Sequence, residues 1–252
     1  MKKSFIKNRK NQNISVIIEK SDNQKGLAFV MHGLGDSKDS DHIKIYAKCF
    51  KDNGYTVISF DTTNTFGESD GTFEDANLIT YYEDLEDVIT RSESQDFFQK
   101  PFILCGHSLG AISCAFYAEK HPERVKAIAP TSTVINTELS KQTYTKEELE
   151  NREKTGRLTE NWGDFDVRIK RSYMEAKEKF DLLKDVDKLT MPVLMIVGEL
   201  DNCTPIKHQQ ILFDKIPGQK ELHIIKESPH TFRNPKHLEE IYQIFDKRIR
   251  KL

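Results

Sequence analysis

The fold is decided by the stretch Phe102-Ile-Leu-Cys-Gly-His-Ser-Leu-Gly-Ala-Ile-Ser-Cys-Ala-Phe116. Its first four residues form a short apolar run that is typical of a buried strand, and apolar residues at positions 109, 112, 115 and 116 have the spacing of a helix. The sequence Gly-His-Ser-Leu-Gly stands between them. A strand, a G-x-S-x-G turn and a helix together predict a nucleophile elbow, a tight turn that presents a serine side chain.

Ser108 is the predicted nucleophile of this turn. A serine at the tip of a tight turn has a strained backbone, and side chains two residues away on either side would collide with the strand or the helix. Gly106 and Gly110 avoid those collisions. Ser108 would then stand at a helix N-terminus, where the helix dipole and free N–H groups favour negative charge. A chance match is the alternative, and the flanking strand and helix argue against it.

Length and composition restrict the function classes. The 252 residues suit one large α/β domain. With 38 Lys and Arg against 40 Asp and Glu, the net charge of −2 argues against a nucleic-acid-binding protein or a strongly basic membrane-surface protein. No apolar run has the length of a signal peptide or a membrane span, so we expect a cytoplasmic protein.

The cysteines are scattered and have no C-x-x-C spacing. We expect small buried thiols in a reducing compartment rather than disulfides or metal ligands. For Cys203, a reactive thiol is the alternative to a core position. The four cysteines are Cys49, Cys105, Cys114 and Cys203.

A second informative stretch is the loop His32-Gly33-Leu34-Gly35, which follows an apolar run that is typical of a strand buried on both faces. Acyl transfer needs two backbone N–H groups directed at the carbonyl oxygen as it becomes an oxyanion. We expect one from Leu109, after the nucleophile, and one from Leu34. A plain glycine turn is the alternative for the loop, and His32 is expected to support it through hydrogen bonds rather than act as a general base.

Strand and helix patterns alternate along the chain, which predicts an α/β fold with a mostly parallel central sheet and helices on both faces. We expect one domain over residues 1–252. Residues 134–190 differ from the rest, since nearly half of residues 138–190 are charged. We interpret them as a small helical cap inserted into the domain.

Two patterns describe this cap. Thr145-Lys-Glu-Glu148 is a capping box that opens a helix. Apolar residues in alternating steps of four and three predict one helical stripe, and they are Ile169, Tyr173, Ala176, Phe180 and Leu183. Four aromatic residues are expected to face inward and to line a substrate pocket, and they are Tyr144, Trp162, Phe165 and Tyr173.

Three residues with complementary proton chemistry follow predicted strands. They are Ser108, Asp201 after Pro192–Val197, and His230 after Leu222–Ile225. Because sites form at the carboxyl ends of parallel strands, we expect the three side chains to meet at one edge of the sheet. Their chain order is Ser, Asp, His, an order known among hydrolytic triads.

The expected roles follow from where the proton must go. A serine hydroxyl is a poor nucleophile until a base takes its proton, so His230 is predicted to accept that proton and then to protonate the leaving group. Asp201 is predicted to orient the imidazole and to stabilise its cation. Glu199 is the alternative acid, and Asp61 is expected to form turn hydrogen bonds instead.

The other histidines are expected in packing or background roles. His107 lies inside the elbow, cannot easily reach round to Ser108, and is expected to pack the turn. The rest are on predicted helices, turns or mid-strand positions, and they are His42, His121, His208, His223 and His237.

The chain from about residue 27 to 252 resembles the α/β-hydrolase superfamily. Within it, the sequence is similar to small bacterial feruloyl/cinnamoyl esterases and, more distantly, to monoacylglycerol-lipase-like serine hydrolases. The residues that carry the resemblance are His32-Gly33-Leu34-Gly35, Phe66-Gly67-Glu68-Ser69-Asp70-Gly71, Gly106-His107-Ser108-Leu109-Gly110, Asp201 and Pro229-His230. Two departures are Ala111, where the family often has glycine, and Asn64-Thr65-Phe66, which replaces the more usual Gly-His and predicts a different pocket lining.

The resemblance implies an α/β-hydrolase fold and hydrolysis of carboxylic esters through an acyl-enzyme, without a cofactor or metal and with a cap that shapes the acyl pocket. The expected binding partner is a small-molecule ester. We expect neither a nucleic-acid partner nor a membrane span, and a homodimer is possible. A thioesterase, a monoacylglycerol lipase, a peptidase or a carbon–carbon hydrolase could use the same triad. The alternative outside enzymology is a ligand-binding protein that keeps the fold without catalysis.

Overall fold

The computed structural model describes residues 2–155, 157–161, 166–170 and 172–252, and strands and helices alternate through them. The strands are β1 (Lys2–Lys7), β2 (Asn13–Glu19), β3 (Gly26–Met31), β4 (Tyr55–Phe60), β5 (Phe102–His107), β6 (Val125–Thr131), β7 (Arg157–Asn161), β8 (Asp166–Lys170), β9 (Val193–Gly198) and β10 (Lys220–Ile225). The helices are α1 (Asp41–Asp52), α2 (Leu78–Ser92), α3 (Leu109–Lys120), α4 (Thr137–Lys141), α5 (Lys146–Thr155), α6 (Ser172–Lys177), α7 (Ile206–Lys215) and α8 (Pro235–Ile249).

Eight strands form the central sheet in the order β1-β2-β4-β3-β5-β6-β9-β10. Every neighbouring pair from β4 to β10 is parallel, and β2 runs antiparallel to both β1 and β4. Parallel neighbours require crossover connections, which the intervening helices supply. The predicted α/β fold with a mostly parallel sheet is therefore confirmed.

Helices cover both faces of this sheet. All residues of β3, β4, β5 and β9 are buried, which explains why these strands are mainly apolar runs. On one face α1 packs against α8, and Tyr46 stacks on Phe245 with ring centroids 5.0 Å apart. Side chains of α2, α3 and α7 form the core on the other face. Among the described residues, no helix has both the length and the apolar character needed to cross a membrane.

The chain between β6 and β9 carries the segment interpreted as a cap. It contains α4, α5 and α6 together with an antiparallel hairpin of β7 and β8. The hairpin packs beside the short 3₁₀ turn Phe73–Asp75, where Lys170 forms an ion pair with Asp75. The segment therefore combines helices with a two-stranded sheet, which the sequence pattern did not predict.

The prediction of a single helical stripe in this segment is wrong, although four of its five side chains are buried. Ile169 lies in β8, Tyr173 and Ala176 lie on α6, and Phe180 follows that helix. All four side chains are buried, whereas Leu183 is only partly buried. A strand followed by a short helix can bury residues at the same spacing as one long helix, so periodicity alone could not distinguish the two.

Glu119, on α3, is a buried carboxyl group in the core of the fold. Its exposed fraction is 2%, and neither carboxylate oxygen has a hydrogen-bond partner among the described residues. Burial, together with the nearby carboxylates of Asp185, Asp181 and Asp187, raises the pKa of Glu119 to about 9. The folded protein thus holds this carboxyl protonated at neutral pH.

We expect Glu119→Gln to stabilise the protein at pH 8 and to have little effect at pH 4.5. In the unfolded wild type, Glu119 ionises above its ordinary pKa of 4.5, whereas in the folded protein it stays protonated up to about pH 9. The free energy of unfolding therefore falls as the pH rises from about 4.5 to about 9. Glutamine cannot ionise, so the variant does not lose stability in this way. Its free energy of unfolding at pH 8 should exceed that of the wild type by about 1 kcal/mol or more.

Chemical denaturation of both proteins across this pH range measures the difference. Glu123→Gln, a change at a nearby exposed position, is the matched control and should show no pH-dependent gain. A Glu119→Gln effect of equal size at pH 4.5 and pH 8 would contradict the assignment.

Candidate active site

The turn between β5 and α3 is built as the G-x-S-x-G pattern requires. Ser108 has φ 54° and ψ −112°, a conformation that L-residues rarely adopt. A Cβ atom on Gly106 would lie 2.5 Å from the backbone of Gly110, and one on Gly110 would lie 2.4 Å from the His32 carbonyl oxygen. Only glycine fits at both positions, because the opposing atoms belong to the backbone and cannot move aside.

Three side chains that are distant in sequence form a hydrogen-bonded row at the carboxyl edge of the sheet. Ser108 Oγ lies 3.1 Å from His230 Nε2, and His230 Nδ1 lies 2.9 Å from Asp201 Oδ2. The carboxylate can only accept, so Nδ1 carries the proton and donates it. Nε2 is then an acceptor for the Ser108 hydroxyl, which is the arrangement of a general base beside a nucleophile.

Asp201 is held as an ionised carboxylate by several donors. It is 3% exposed, Oδ1 accepts hydrogen bonds from the backbone N–H groups of Cys203 (2.9 Å) and Thr204 (2.8 Å), and Oδ2 accepts one from the Thr204 hydroxyl (2.8 Å). Burial alone would raise the pKa of Asp201, but His230 and the Thr204 hydrogen bonds outweigh it and hold that pKa well below the usual range.

Two sequence interpretations in this loop are corrected. Thr204, followed by Pro205, has the sequence pattern of a helix N-cap, but α7 begins at Ile206 and the Thr204 hydroxyl donates to Asp201 instead. Cys203 was expected in the core, and it is exposed. Cys203 contributes its backbone N–H to this loop, as a donor to Asp201 Oδ1. Glu199, the alternative acid, accepts a hydrogen bond from the backbone N–H of Glu227 and does not join the row.

The backbone N–H groups of Leu34 and Leu109 are the candidates for an oxyanion hole. Leu109 is the first residue of α3, and the first N–H groups of a helix have no partner inside it. The Leu34 N–H donates no hydrogen bond within the described part of the chain. A Cβ on Gly33 would lie 3.0 Å from Ser108 Cβ, so the loop after β3 runs directly beside the serine.

His32 supports this loop. Its Nδ1 donates to the Gly33 carbonyl oxygen at 2.7 Å, and its Nε2 accepts from the Thr62 N–H at 3.0 Å. Tyr81 donates a further hydrogen bond to the Gly33 carbonyl oxygen. Burial lowers the pKa of His32, which favours the neutral ring that one donated and one accepted bond require. Both ring nitrogens are used, so His32 holds the loop in place.

A buried ion pair, which the sequence did not reveal, fixes the same loop from its far end. The side chains of Lys38 and Asp61 are fully buried, with Nζ 2.7 Å from Asp61 Oδ2 and 2.7 Å from Glu68 Oε2. The Lys38 N–H also donates to Asp61 Oδ1 at 2.8 Å. Asp61 therefore has the structural role expected of it, and its partner Lys38 is the residue that was missed.

Two of the four proposed pocket residues lie in the described part of the chain. Tyr173 is 5% exposed in the core beside α2, and Tyr144 is partly buried after α4. Trp162 and Phe165 lie outside the described residues. Phe66 belongs to Asn64-Thr65-Phe66, the segment that differs from the family pattern. It is 59% exposed, and its ring stacks on Phe73 with centroids 4.3 Å apart.

Two groups of described residues have metal-ligand atoms within 4.8 Å of one another. One is Asp36, His42 and His107, and the other is Asp201, Cys203 and His230. The second shares two residues with the hydrogen-bonded row. An ion there would compete for the His230–Asp201 hydrogen bond, so this group gives no separate site.

Comparison with known proteins identifies the family. A family model described as the alpha/beta hydrolase fold matches residues 29–168. The chain belongs to the alpha/beta hydrolase fold family. This match confirms the α/β-hydrolase superfamily membership that the sequence predicted. The sequence has no significant match among curated proteins.

Solved structures similar to this alpha/beta hydrolase match it over nearly its whole length. Est1E from Butyrivibrio proteoclasticus, solved with ferulic acid bound, has 21% identity and a TM-score of 0.86 over 98% of each chain. Alpha/beta hydrolase domain-containing protein 10 from mouse has 22% identity and a TM-score of 0.81 over 100% of this chain and 99% of its own. Paleococcus ferrophilus monoacylglycerol lipase has 18% identity and a TM-score of 0.69 over 94% and 98%. At these identities the likeness shows the fold.

We expect Lys38→Met to destabilise this hydrolase by about 3–5 kcal/mol, because it leaves the Asp61 carboxylate buried without its cation. Lys44→Met is the matched control, since Lys44 is mostly exposed and its Nζ lies 4.0 Å from Asp39 Oδ1. This change should lower the free energy of unfolding by about 1 kcal/mol or less. Urea denaturation of both variants measures the two losses. Equal small losses would mean that the Lys38–Asp61 pair does not hold the loop.

Proposed function

We propose that this alpha/beta hydrolase is a serine esterase that cleaves carboxylic esters of small acyl or aryl type through an acyl-enzyme on Ser108. The observation that carries the proposal is the continuous row of hydrogen bonds from the Ser108 hydroxyl through His230 to Asp201. A nucleophile, a base and an orienting carboxylate at these distances are the parts that acyl transfer requires.

In the first step Ser108 Oγ attacks the ester carbonyl carbon, and His230 Nε2 takes the hydroxyl proton. The new imidazolium keeps its Nδ1–H bond to Asp201, whose negative charge stabilises it. The carbonyl oxygen becomes an oxyanion, and the Leu34 and Leu109 N–H groups are proposed to donate to it. Removal of one such donor from a known hydrolase costs about 10²–10³-fold in kcat.

In the second step the tetrahedral intermediate collapses. The bond from the carbonyl carbon to the alcohol oxygen breaks, and the alcohol leaves with the proton from His230, so the acyl group stays on Ser108. A water molecule then repeats the sequence, giving its proton to His230 and releasing the carboxylic acid and the serine. The contacts with His230 and the Thr204 hydrogen bonds lower the pKa of Asp201, so this carboxyl stays ionised during the reaction.

A sequence resemblance and a structural neighbour support the substrate class. The sequence resembles feruloyl/cinnamoyl esterases, and Est1E, a protein of the same fold, was solved with ferulic acid. Tyr144, Trp162, Phe165 and Tyr173 are proposed to line the acyl pocket, and aromatic side chains there would suit an aryl group. A thioesterase, a peptidase or a monoacylglycerol lipase remains the alternative with the same row.

We expect a fluorophosphonate probe to label the wild type and not Ser108→Ala. The variant should also lose at least about 10³-fold in kcat for a short p-nitrophenyl ester, because alanine has no hydroxyl to present to His230 Nε2. Ser94→Ala, a change at an exposed serine on the surface, is the matched control and should behave as the wild type. An unlabelled wild type without esterase activity would instead favour the non-catalytic binding protein.

Substrate choice is tested by kcat/KM on a graded panel. The panel contains p-nitrophenyl acetate and butyrate, methyl ferulate, a long-chain monoacylglycerol, an acyl thioester and an acyl anilide. We expect the small acyl or aryl esters to exceed the others by about tenfold or more, a difference that pocket contacts of 1–3 kcal/mol supply. Highest turnover of the monoacylglycerol, the thioester or the anilide would replace the esterase assignment with the corresponding alternative.

A further inference from the structure

His107, the residue before Ser108, is hydrogen-bonded to the main chain of the residue proposed as the base. His107 is 3% exposed, its Nε2 lies 2.9 Å from the His230 carbonyl oxygen, and the two ring centroids are 4.8 Å apart. A carbonyl oxygen only accepts, so the proton of His107 is on Nε2. Its Nδ1 has no hydrogen-bond partner in the described part of the chain. The elbow is thus bonded directly to the loop that carries His230.

His42 covers the other side of the His107 ring. Its exposed fraction is 1%, and the two rings are T-shaped, with centroids 4.6 Å apart at 68°. His42 Nε2 lies 3.1 Å from Asp36 Oδ2, which is an ion-pair distance without hydrogen-bond geometry. The possible metal-ligand atoms of Asp36, His42 and His107 all lie within 4.8 Å of one another. The three residues therefore connect the loop after β3 to the elbow and, through His107, to the His230 loop.

The pKa shifts of His107 and Asp36 favour a neutral His107 ring. Burial, followed by the proximity of His42 and His230, holds the pKa of His107 well below its usual value. Burial opposes ionisation of Asp36, but the contact with His42 outweighs it and lowers the pKa of Asp36. A neutral His107 keeps one proton, and the His230 carbonyl oxygen fixes that proton on Nε2. The ring then acts as a donor of fixed orientation.

We propose that Asp36, His42 and His107 form a positioning chain that holds the His230 main chain so that the imidazole stays in line with Ser108. The inference rests on the proposed serine-hydrolase function. It makes the three residues positioning residues, since they act on the imidazole through the His230 main chain. A displacement of about 1 Å in such a group can cost about 100-fold in rate, so one main-chain hydrogen bond can matter.

The bond itself is tested by two substitutions at His107. Leucine fills a similar space without a donor, whereas glutamine has an amide N–H that can reach the His230 carbonyl oxygen. With a short p-nitrophenyl ester, we expect His107→Leu to lower kcat by about 10–100-fold with KM within about twofold, and His107→Gln to restore kcat to within about fivefold of the wild type. His121→Leu, outside this chain, is the control and should match the wild type.

Spectroscopy separates positioning from a general loss of packing. The His230 Nδ1 proton that faces Asp201 should give a downfield proton resonance in the wild type and in His107→Gln, and it should broaden or disappear in His107→Leu. If His107→Leu does not fold, His42→Phe tests the chain one step further away. It should lower kcat by about 3–10-fold, with KM and the thermal midpoint little changed.

The outcomes are distinguishable from failure of the proposed function. A wild type without esterase activity or fluorophosphonate labelling would reject the function itself. An active wild type with an equally active His107→Leu variant would reject the positioning chain alone. Loss of kcat in both His107 variants would also reject it, because glutamine keeps the donor. Loss of activity on removal of metal by EDTA, restored by Zn²⁺, would show that the cluster holds an ion instead.

Discussion

The close packing of backbone around Ser108 is the constraint on which the rest of the site depends. The turn holds the serine at a positive φ, and it exists only because Gly106 and Gly110 let β5, α3 and the loop after β3 approach within contact of one another. That approach brings the loop that carries Leu34 beside Ser108, where α3 begins at Leu109. The surrounding loops are then fixed by buried polar bonds, so the site is organised before any substrate binds.

The fold was predictable because its signals are local. Continuous apolar runs predicted the buried strands, their alternation with helices predicted the parallel sheet, and a parallel sheet brings its strand ends to one edge. From those rules alone Ser108, Asp201 and His230 were expected to approach one another, and their side chains lie within hydrogen-bonding distance in the structure. A motif at one strand end could therefore be combined with candidates at two others.

What the sequence did not reveal depends on contacts between distant residues. Lys38 is an ordinary lysine in sequence, and only the folded chain shows that it is buried against Asp61. Thr204 has the pattern of a helix cap, but a bond to Asp201 uses its hydroxyl. The hydrogen bond between His107 and the His230 carbonyl joins residues 123 positions apart. The single helical stripe in the segment interpreted as a cap was mispredicted for a related reason, since a strand and a short helix reproduced the spacing of one longer helix.

The most direct measurement is capture of the acyl group itself. The enzyme is mixed with a short p-nitrophenyl ester, quenched in acid during turnover, digested, and examined by mass spectrometry. We expect the mass of the acyl group on Ser108, within the peptide that spans the elbow, and none when Ser108→Ala is treated in the same way. Turnover with no acyl group on Ser108, or with the acyl group on exposed Cys203 instead, would contradict it.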